Sequence, residues 1–379
     1  MCNVQGAQQL YYSHGAGLVY AGIGKQIVAH SAATGQPRNT YEGHAGPVTC
    51  LMVAFCPHLQ CDVLLSGSVD STIKCWPLRP SLGPRRRSPR TFVGHTGAVW
   101  GLAVSSTSLF SCSSDCTIRQ WCRKTCQELT VLRGHAGPVQ QLLILESVLC
   151  SGSEDGIVKI WGRDSGRLLC SLKDHEDGIT CMLTMSPEDI VTGSRDCTIK
   201  HWKVKSGKLT GTMYGHTDWV TCLLEVEDSL WSGSRDATIK RWHPVTHQLL
   251  ATLHGHCSGV SILCAMSDSI LSGSADRTIT QWHPKLQTAL ASIDGKCGVS
   301  SLVEVPAGIF RLAARGPPKL LAKPRHPDLD AEPAESCEIC KPKEVEEYVY
   351  DAPPVACDEA LGLRGMVHWM AATIHSEDF

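Results

Sequence analysis

The sequence predicts an all-β ring of repeated four-stranded units, a β-propeller of seven blades, and three observations carry that expectation. Gly-His pairs recur at Gly43-His44, Gly94-His95, Gly134-His135, Gly215-His216 and Gly255-His256, with Asp174-His175 and Gly295-Lys296 as altered copies; successive second positions lie 51, 40, 40, 41, 40 and 40 residues apart. About 20 residues after each His stands Asp70, Asp115, Asp155, Asp196, Asp236 or Asp276, and six residues beyond each Asp stands Trp76, Trp121, Trp161, Trp202, Trp242 or Trp282. Within a unit the apolar pattern has a period of two, the signature of strands. One such coincidence is weak, but six in register set the architecture.

The unit after His216 shows the elements in order. Val220-Thr221-Cys222-Leu223-Leu224 reads as a buried strand and Ser229-Leu230-Trp231-Ser232-Gly233-Ser234 as a second. Thr238-Ile239-Lys240-Arg241-Trp242 alternates as a third, and Gln248 to Leu253 as a fourth. The links carry Gly, Asp, Ser or Pro and are too short for helices. A lone four-stranded blade cannot bury its own faces, so the units must stack around an axis.

At the amino end, Leu18 to His30 aligns with Leu64 to Trp76; Gly24 replaces the Asp and His30 the Trp. Residues 10–42 are therefore read as a degenerate first blade, followed by six intact repeats over 43–294. Val299 to Leu312 begins a truncated unit, 295–313, which loses its Asp and Trp and runs into Pro317-Pro318. Terminal repeats are expected to be atypical. Seven blades are favoured, the last hairpin helping to close the ring; eight with an incomplete last blade is the alternative.

Composition narrows the function classes. The 379 residues are 42% hydrophobic and 19% charged, as in a well-cored globular protein. A net charge of −2 gives no global basic field for nucleic acid. No apolar run reaches the ~18 residues of a membrane span, and the first residues lack a signal peptide. The 20 cysteines then read as reduced thiols in a cytoplasmic chain, with the nucleus as the alternative. Cys50, Cys181 and Cys222 share one innermost-strand position and read as buried, inert thiols, as Trp231 reads as core.

Gly-His, then Ser-Gly-Ser-x-Asp, then Trp resembles the WD40-repeat family over residues 10–313. The stretch from Ser232 to Trp242 is similar to the compact repeats of F-box/WD substrate receptors. The family's Trp-Asp ending is absent: Trp76-Pro77, Trp121-Cys122, Trp161-Gly162, Trp202-Lys203, Trp242-His243 and Trp282-His283 stand instead. The resemblance implies a structural hydrogen-bond chain of His, Ser or Thr, Asp and Trp in each unit, built on His44, His95, His135, His175, His216 and His256. A Ser, His and Asp in each unit also suggests a hydrolase. An active site needs one copy, however, and six indicate a frame; no catalytic residue, cofactor or metal is expected.

Function in a repeat protein is expected where a unit departs from its siblings. The unit from His44 carries six extra residues around Cys56-Pro57-His58-Leu59-Gln60-Cys61 and five more in Pro77 to Pro89. The second insertion leads into a basic loop, Arg85, Arg86, Arg87, Ser88 and Arg90, which reads as a solvated loop or a docking or nuclear-import patch, with Ser88 a candidate phosphosite. The family's recurrent contact positions lie at the top rim: the residue before the turn Asp and those flanking the Val after Gly-His. Here they hold Glu154, Arg195 and Arg235, with Trp100 after Val99 and Trp219 before Val220. Arg195, Trp219 and Arg235 should cluster on one arc and suit an acidic-hydrophobic segment. Glu154 should repel its acidic end. Thr180 and Thr221 stand where phosphodegron readers carry further arginines.

Residues 314–379 hold eight Pro, seven Lys/Arg and thirteen Asp/Glu and read as a mostly disordered acidic tail. Cys337 and Cys340, with Cys357, His368 and His375, suggest zinc, but their spacing fits no common knuckle. Met366, Trp369, Met370 and Ile374 lie at helical spacing. The leading function is a non-catalytic interaction scaffold, a monomeric propeller within complexes. The alternative is a ubiquitin-ligase substrate receptor for acidic or phosphorylated segments. Against it, fewer than ten residues precede the first strand, leaving no room for an F-box, and only Trp76-Pro77-Leu78-Arg79 approaches an adaptor motif.

Overall fold

In the computed structural model the described residues are 10–13, 16–78, 89–266, 269–285, 288–294, 299–305, 308–313 and 319–321. They form eight antiparallel sheets in chain order: blades 1 to 7, each of four strands, at 10–42, 48–93, 99–133, 139–173, 179–213, 220–253 and 260–294, and a three-stranded sheet at 299–321. The first strand of each sheet is innermost and lies beside the first strand of the next. Val299–Val305 lies beside Val260–Ala265 on one side and Leu10–Ser13 on the other, which closes the ring. Among the described residues no helix is long and apolar enough to cross a membrane.

The seven complete blades match the favoured count. The truncated unit contributes more than a hairpin, as the eight-sheet alternative anticipates. Lys319–Leu321 pairs with Gly308–Ala313 in the register Ile309↔Leu321, so a propeller boundary at 313 falls short. Pro317-Pro318 does not end the sheet because a proline just before an outer strand costs no ladder hydrogen bond.

The core is a chain of seams between blades. Seven apolar clusters each straddle two neighbouring sheets; one joins Ile73 and Phe92 of blade 2 to Val99, Leu102 and Trp121 of blade 3. In blades 1 to 7 the second strand is buried on both faces, as in Ser229–Ser234, because both its neighbours and both adjoining sheets cover it. Trp231 is fully buried there.

The Gly of Ser-Gly-Ser is required by this stacking. A Cβ on Gly233 would stand 2.7 Å from Cys222 Sγ and 2.7 Å from Val260 Cγ1 of blade 7. Gly67 and Gly193 meet Cys50 and Cys181 in the same way. Burial pushes the Cys50 and Cys222 thiols up to about 12, with Cys181 shifted the same way, which makes them filler rather than nucleophiles.

Candidate functional site

The repeated Ser-His-Asp sets are closed structural chains in all six intact repeats. His44, His95, His135, His175, His216 and His256 each hold an Asp carboxylate at Nδ1, at 2.6–2.9 Å. A carboxylate only accepts, so Nδ1–H donates, and Nε2 accepts from the hydroxyl of Ser66, Ser111, Ser151, Thr192, Ser232 or Ser272 at 2.6–2.8 Å. That oxygen in turn accepts the indole N–H of Trp76, Trp121, Trp161, Trp202, Trp242 or Trp282 at 2.7–3.0 Å. All six hydroxyl residues are fully buried. Each hydroxyl has its proton committed and no room for a substrate, so these sets build the frame.

Burial alone would raise each carboxyl; its hydrogen bonds outweigh that. Thr72, His44 and the backbone N–H groups of Thr72 and Ala45 bring Asp70 to about 2. Asp155, held by His135 and the N–H groups of Ala136 and Ile157, also lies at about 2. Asp174 stands where the other repeats carry Gly, and Lys200 of blade 5 reaches its carboxylate.

The Glu, Arg and Trp departures lie by the Gly-His loops, whereas the insertion around Cys56 to Cys61 forms the turn at the far end of the Val48–Cys56 strand. Arg195 and Arg235 each precede a chain Asp, and Trp219 immediately precedes the innermost strand Val220–Val226. The Arg195 guanidinium lies 4.9 Å and that of Arg235 4.4 Å from the centroid of the Trp219 ring. Three residues from two blades thus form one group, as expected. Each such cation–π contact contributes roughly 0.5–2 kcal/mol. The main chain fixes the geometry, with the N–H of Arg195 on the Gly178 carbonyl at 3.0 Å and that of Arg235 on the Trp219 carbonyl at 2.9 Å.

Glu154, Trp219 and Trp100 sit differently from what a set of open rim contacts would require. Glu154 does not stand apart as a repelling charge: its Oε1 accepts from Arg195 Nη2 at 2.6 Å and also from Gln140 Nε2. Trp219 is half-buried with two guanidiniums over its ring, so it is not an open indole. Trp100 does not join the group; it packs against the cluster of Phe110, Leu142 and Trp161 between blades 3 and 4. A large side chain there fills a seam where Thr49, Thr180, Thr221 and Ser261 stand in four other blades and Gln140 in blade 4.

Arg90 belongs to a strand, Arg90–Val93, and its Nη1 donates to the Lys124 carbonyl of blade 3 at 2.9 Å. Arg85, Arg86, Arg87 and Ser88 lie outside the described residues, as do the cysteines and histidines beyond 321 proposed for zinc. Among the described residues no group of three His, Cys, Asp or Glu side chains is placed to hold a metal ion. Gln140, which fixes Glu154, escaped the sequence reading because only the hairpin brings the two together. Thr180 and Thr221 donate instead to the Val220 and Val260 carbonyls of the next blade, so they are committed to the frame.

The sequence profile of the family described as "WD domain, G-beta repeat" matches residues 35–77, 86–122, 126–162, 166–203, 207–243 and 247–283, more than half of the chain. The chain belongs to this WD-repeat family. Each match joins the outer strand of one blade to three strands of the next. Among curated proteins the chain is similar to human striatin-3, 42% identical over 94 residues, which are 23% of this chain and 11% of that protein. Mouse striatin is 38% identical over 96 residues, 23% of this chain and 12% of striatin. An uncharacterized WD repeat-containing protein of Schizosaccharomyces pombe is 34% identical over 96 residues, 23% of this chain and 15% of that protein. The chain thus spans only a small part of these relatives. Among solved structures, the crystal structure of the computationally designed Ika8 protein superposes with a TM-score of 0.73 at 29% identity, covering 84% of this chain and 97% of that one.

Proposed function

We propose that this WD-repeat propeller is a non-catalytic interaction scaffold that grips an acidic segment of a partner protein at the rim of blades 5 and 6. One observation carries the reading: two guanidiniums are gathered on one indole, and only one of them is neutralised from within. Arg195 is held by Glu154, whereas Arg235 is exposed and makes no ion pair among the described residues. Trp219 orients the two cations rather than receiving an apolar side chain, so the partner's main feature is a carboxylate for Arg235. An apolar neighbour adds contact at the indole edge. A scaffold role also fits a family whose repeated polar residues are all used by the frame.

The test is selection of peptides from a displayed random library by the purified chain. Enriched sequences should carry Asp or Glu beside an apolar residue, and binding should be lost in Arg235→Glu and in Trp219→Ala while thermal stability changes little. Retention of the same peptides by both variants would remove the rim from consideration. A large preference for phosphorylated over plain peptides would favour the ubiquitin-ligase receptor reading, since a phosphate dianion is the better match for paired guanidiniums.

A further inference from the structure

The turn between the third and fourth strands of blade 3 carries cysteine at both ends, Cys122-Arg123-Lys124-Thr125-Cys126. The Cys126 N–H donates to the Cys122 carbonyl at 2.9 Å, and the Cys122 N–H to the Gln127 carbonyl at 2.9 Å. The same turn recurs in blades 4, 5 and 6, closed by Gly166, Gly207 and His247 on Gly162, Lys203 and His243. Two features of these siblings show what its positions demand.

The first position can hold an acceptor, and does so in blades 6 and 7, whereas blades 4 and 5 place Gly162 and Lys203 there. In blade 6 His243 Nδ1 accepts the N–H groups of Val245 at 3.2 Å and Thr246 at 3.1 Å, and in blade 7 His283 Nδ1 accepts that of Lys285 at 3.1 Å. In blade 3 the corresponding donors, the Thr125 hydroxyl and the N–H groups of Thr125 and Lys124, meet the Cys122 sulfur and hold its thiol below the usual range. A thiol accepts weakly and a thiolate strongly, so a turn that aims donors at this position favours the anion. Cys122 is half-buried, with its edge open to solvent.

The last position demands a left-handed backbone, with φ of +64° at Gly166, +67° at Gly207 and +61° at Cys126. Cysteine is costly there and gains nothing for the turn itself. Its side chain packs at the seam of blades 2 and 3, whose cluster includes Cys56 and Cys75. Burial raises its thiol, and the Arg90 guanidinium beside the sulfur acts against that rise.

We propose that this turn is an oxidation site, with Cys122 the reacting thiol and Cys126 its disulfide partner. The oxidant is hydrogen peroxide. The Cys122 thiolate attacks one peroxide oxygen, an S–O bond forms, the O–O bond breaks, and hydroxide leaves to take up a proton as water. The Cys126 sulfur then attacks the Cys122 sulfur; the S–S bond forms, the S–O bond breaks, and a second water carries off the Cys126 proton. Two thiols lose two electrons and one peroxide becomes two waters. The bridge alters a turn that Arg90 and Arg123 tie to blade 2 through the Lys124 and Phe55 carbonyls. Its effect is therefore felt where the basic segment ending at Arg90 enters the propeller.

The test uses the purified full chain, limiting hydrogen peroxide, alkylation of remaining thiols, and tryptic mapping without reduction. Cleavage after Arg123 and Lys124 separates the two cysteines, so the bridge appears as two peptides joined by a disulfide. It should form before any other pair. In Cys126→Gly, which adopts the sibling backbone, the bridge should vanish and a sulfenic-acid probe should label Cys122. Thr125→Ala should slow that labelling severalfold. Cys116 and Cys197 are comparably buried but carry carboxylates as neighbours, which with burial raise their thiols; they should react severalfold more slowly. A bridge between Cys56 and Cys61 forming first, or no label on Cys122 in Cys126→Gly, would overturn the proposal.

Discussion

Each chain Asp of the ring is a carboxylate whose acceptor sites are filled by donors of its own repeat, and this makes it both a stabilising residue and an acid-sensitive one. For Asp70 and Asp155, folded values near 2 lie below the ordinary ~3.9. The stability they contribute is complete above about pH 4 and lost as pH falls toward 2. His44 works in the same direction: burial lowers it against the pull of Asp70, so the unfolded chain takes up this proton more readily than the fold as pH drops below about 6.5. The urea midpoint should therefore fall steadily from pH 7 to pH 3; a flat or rising profile would contradict the closed-chain account. Asp155→Ala leaves buried donors of His135, Ala136 and Ile157 unmatched and should cost about 1–3 kcal/mol or more. The comparison position is Gly24, where the degenerate first blade has no Asp. It lies at φ +55°, so Gly24→Ala is strained, and Gly24→Asn, which tolerates that backbone, is the proper control and should cost a few tenths of a kcal/mol. At this scale the Arg-Trp-Arg group was legible because two neighbouring repeats carry Arg at the equivalent position before the Asp, and the later one also carries Trp219 before its innermost strand. The Glu154–Arg195 ion pair was not, since no sequence spacing shows which rotamer spans two blades.

Between blades, the element that matters is a hydroxyl after the first Val of the innermost strand. Thr180 Oγ1 donates to the Val220 carbonyl of blade 6 and lies 2.9 Å from the Gly193 carbonyl. Thr221 repeats this toward Val260 at 2.6 Å, and Thr49 and Ser261 reach Val99 and Val299. Blade 4 carries Gln140 at this position, and the next residue, Gln141, reaches the seam instead, its Nε2 donating to the Thr180 carbonyl at 3.0 Å. Removing one such hydroxyl leaves a buried carbonyl short of a donor. Thr180→Val keeps the shape and should lower stability by about 1–3 kcal/mol without changing the repeat geometry, measured by denaturant unfolding. Gly233→Ala acts on the same seam by overpacking, since the added methyl meets both Cys222 and Val260, and should cost about 1–3 kcal/mol. If either variant were neutral, the seams would be looser than these distances indicate. The strands of the intact repeats were readable because each carries Gly-His, Ser-Gly-Ser and Trp at fixed offsets. The latches were not, because a Thr after Val has no meaning until the next blade's carbonyl is placed beside it.

For the whole molecule, closure is the decisive event, since a propeller whose last sheet fails to meet its first exposes two apolar faces. Val299 and Leu302 are buried against Leu271 and Ile279 of blade 7, and Leu321 packs on the same cluster. The strand Val299–Val305 also lies beside Leu10–Ser13 of blade 1. The sequence marks only the first two strands of this sheet, as a truncated unit, because it lacks the Asp and Trp by which the others are recognised, and its third strand follows two prolines. Its role is set by position rather than motif: whatever chain follows blade 7 must cover Leu271 on one side and the first strand of blade 1 on the other. Three truncations separate the possibilities. A chain ending at Leu321 keeps every described strand and should melt within about 1–2 °C of the full chain, as expected for changes outside the core. One ending at Ala313 loses the Ile309↔Leu321 pairing and the packing of Leu321, and should melt measurably lower. One ending at Asp294 removes the closing sheet and should aggregate or unfold over a broad transition, because the apolar faces of blades 7 and 1 are left in water. Equal melting of the first and third chains would mean that the ring closes through seven blades alone and that the sheet at 299–321 is an accessory to it.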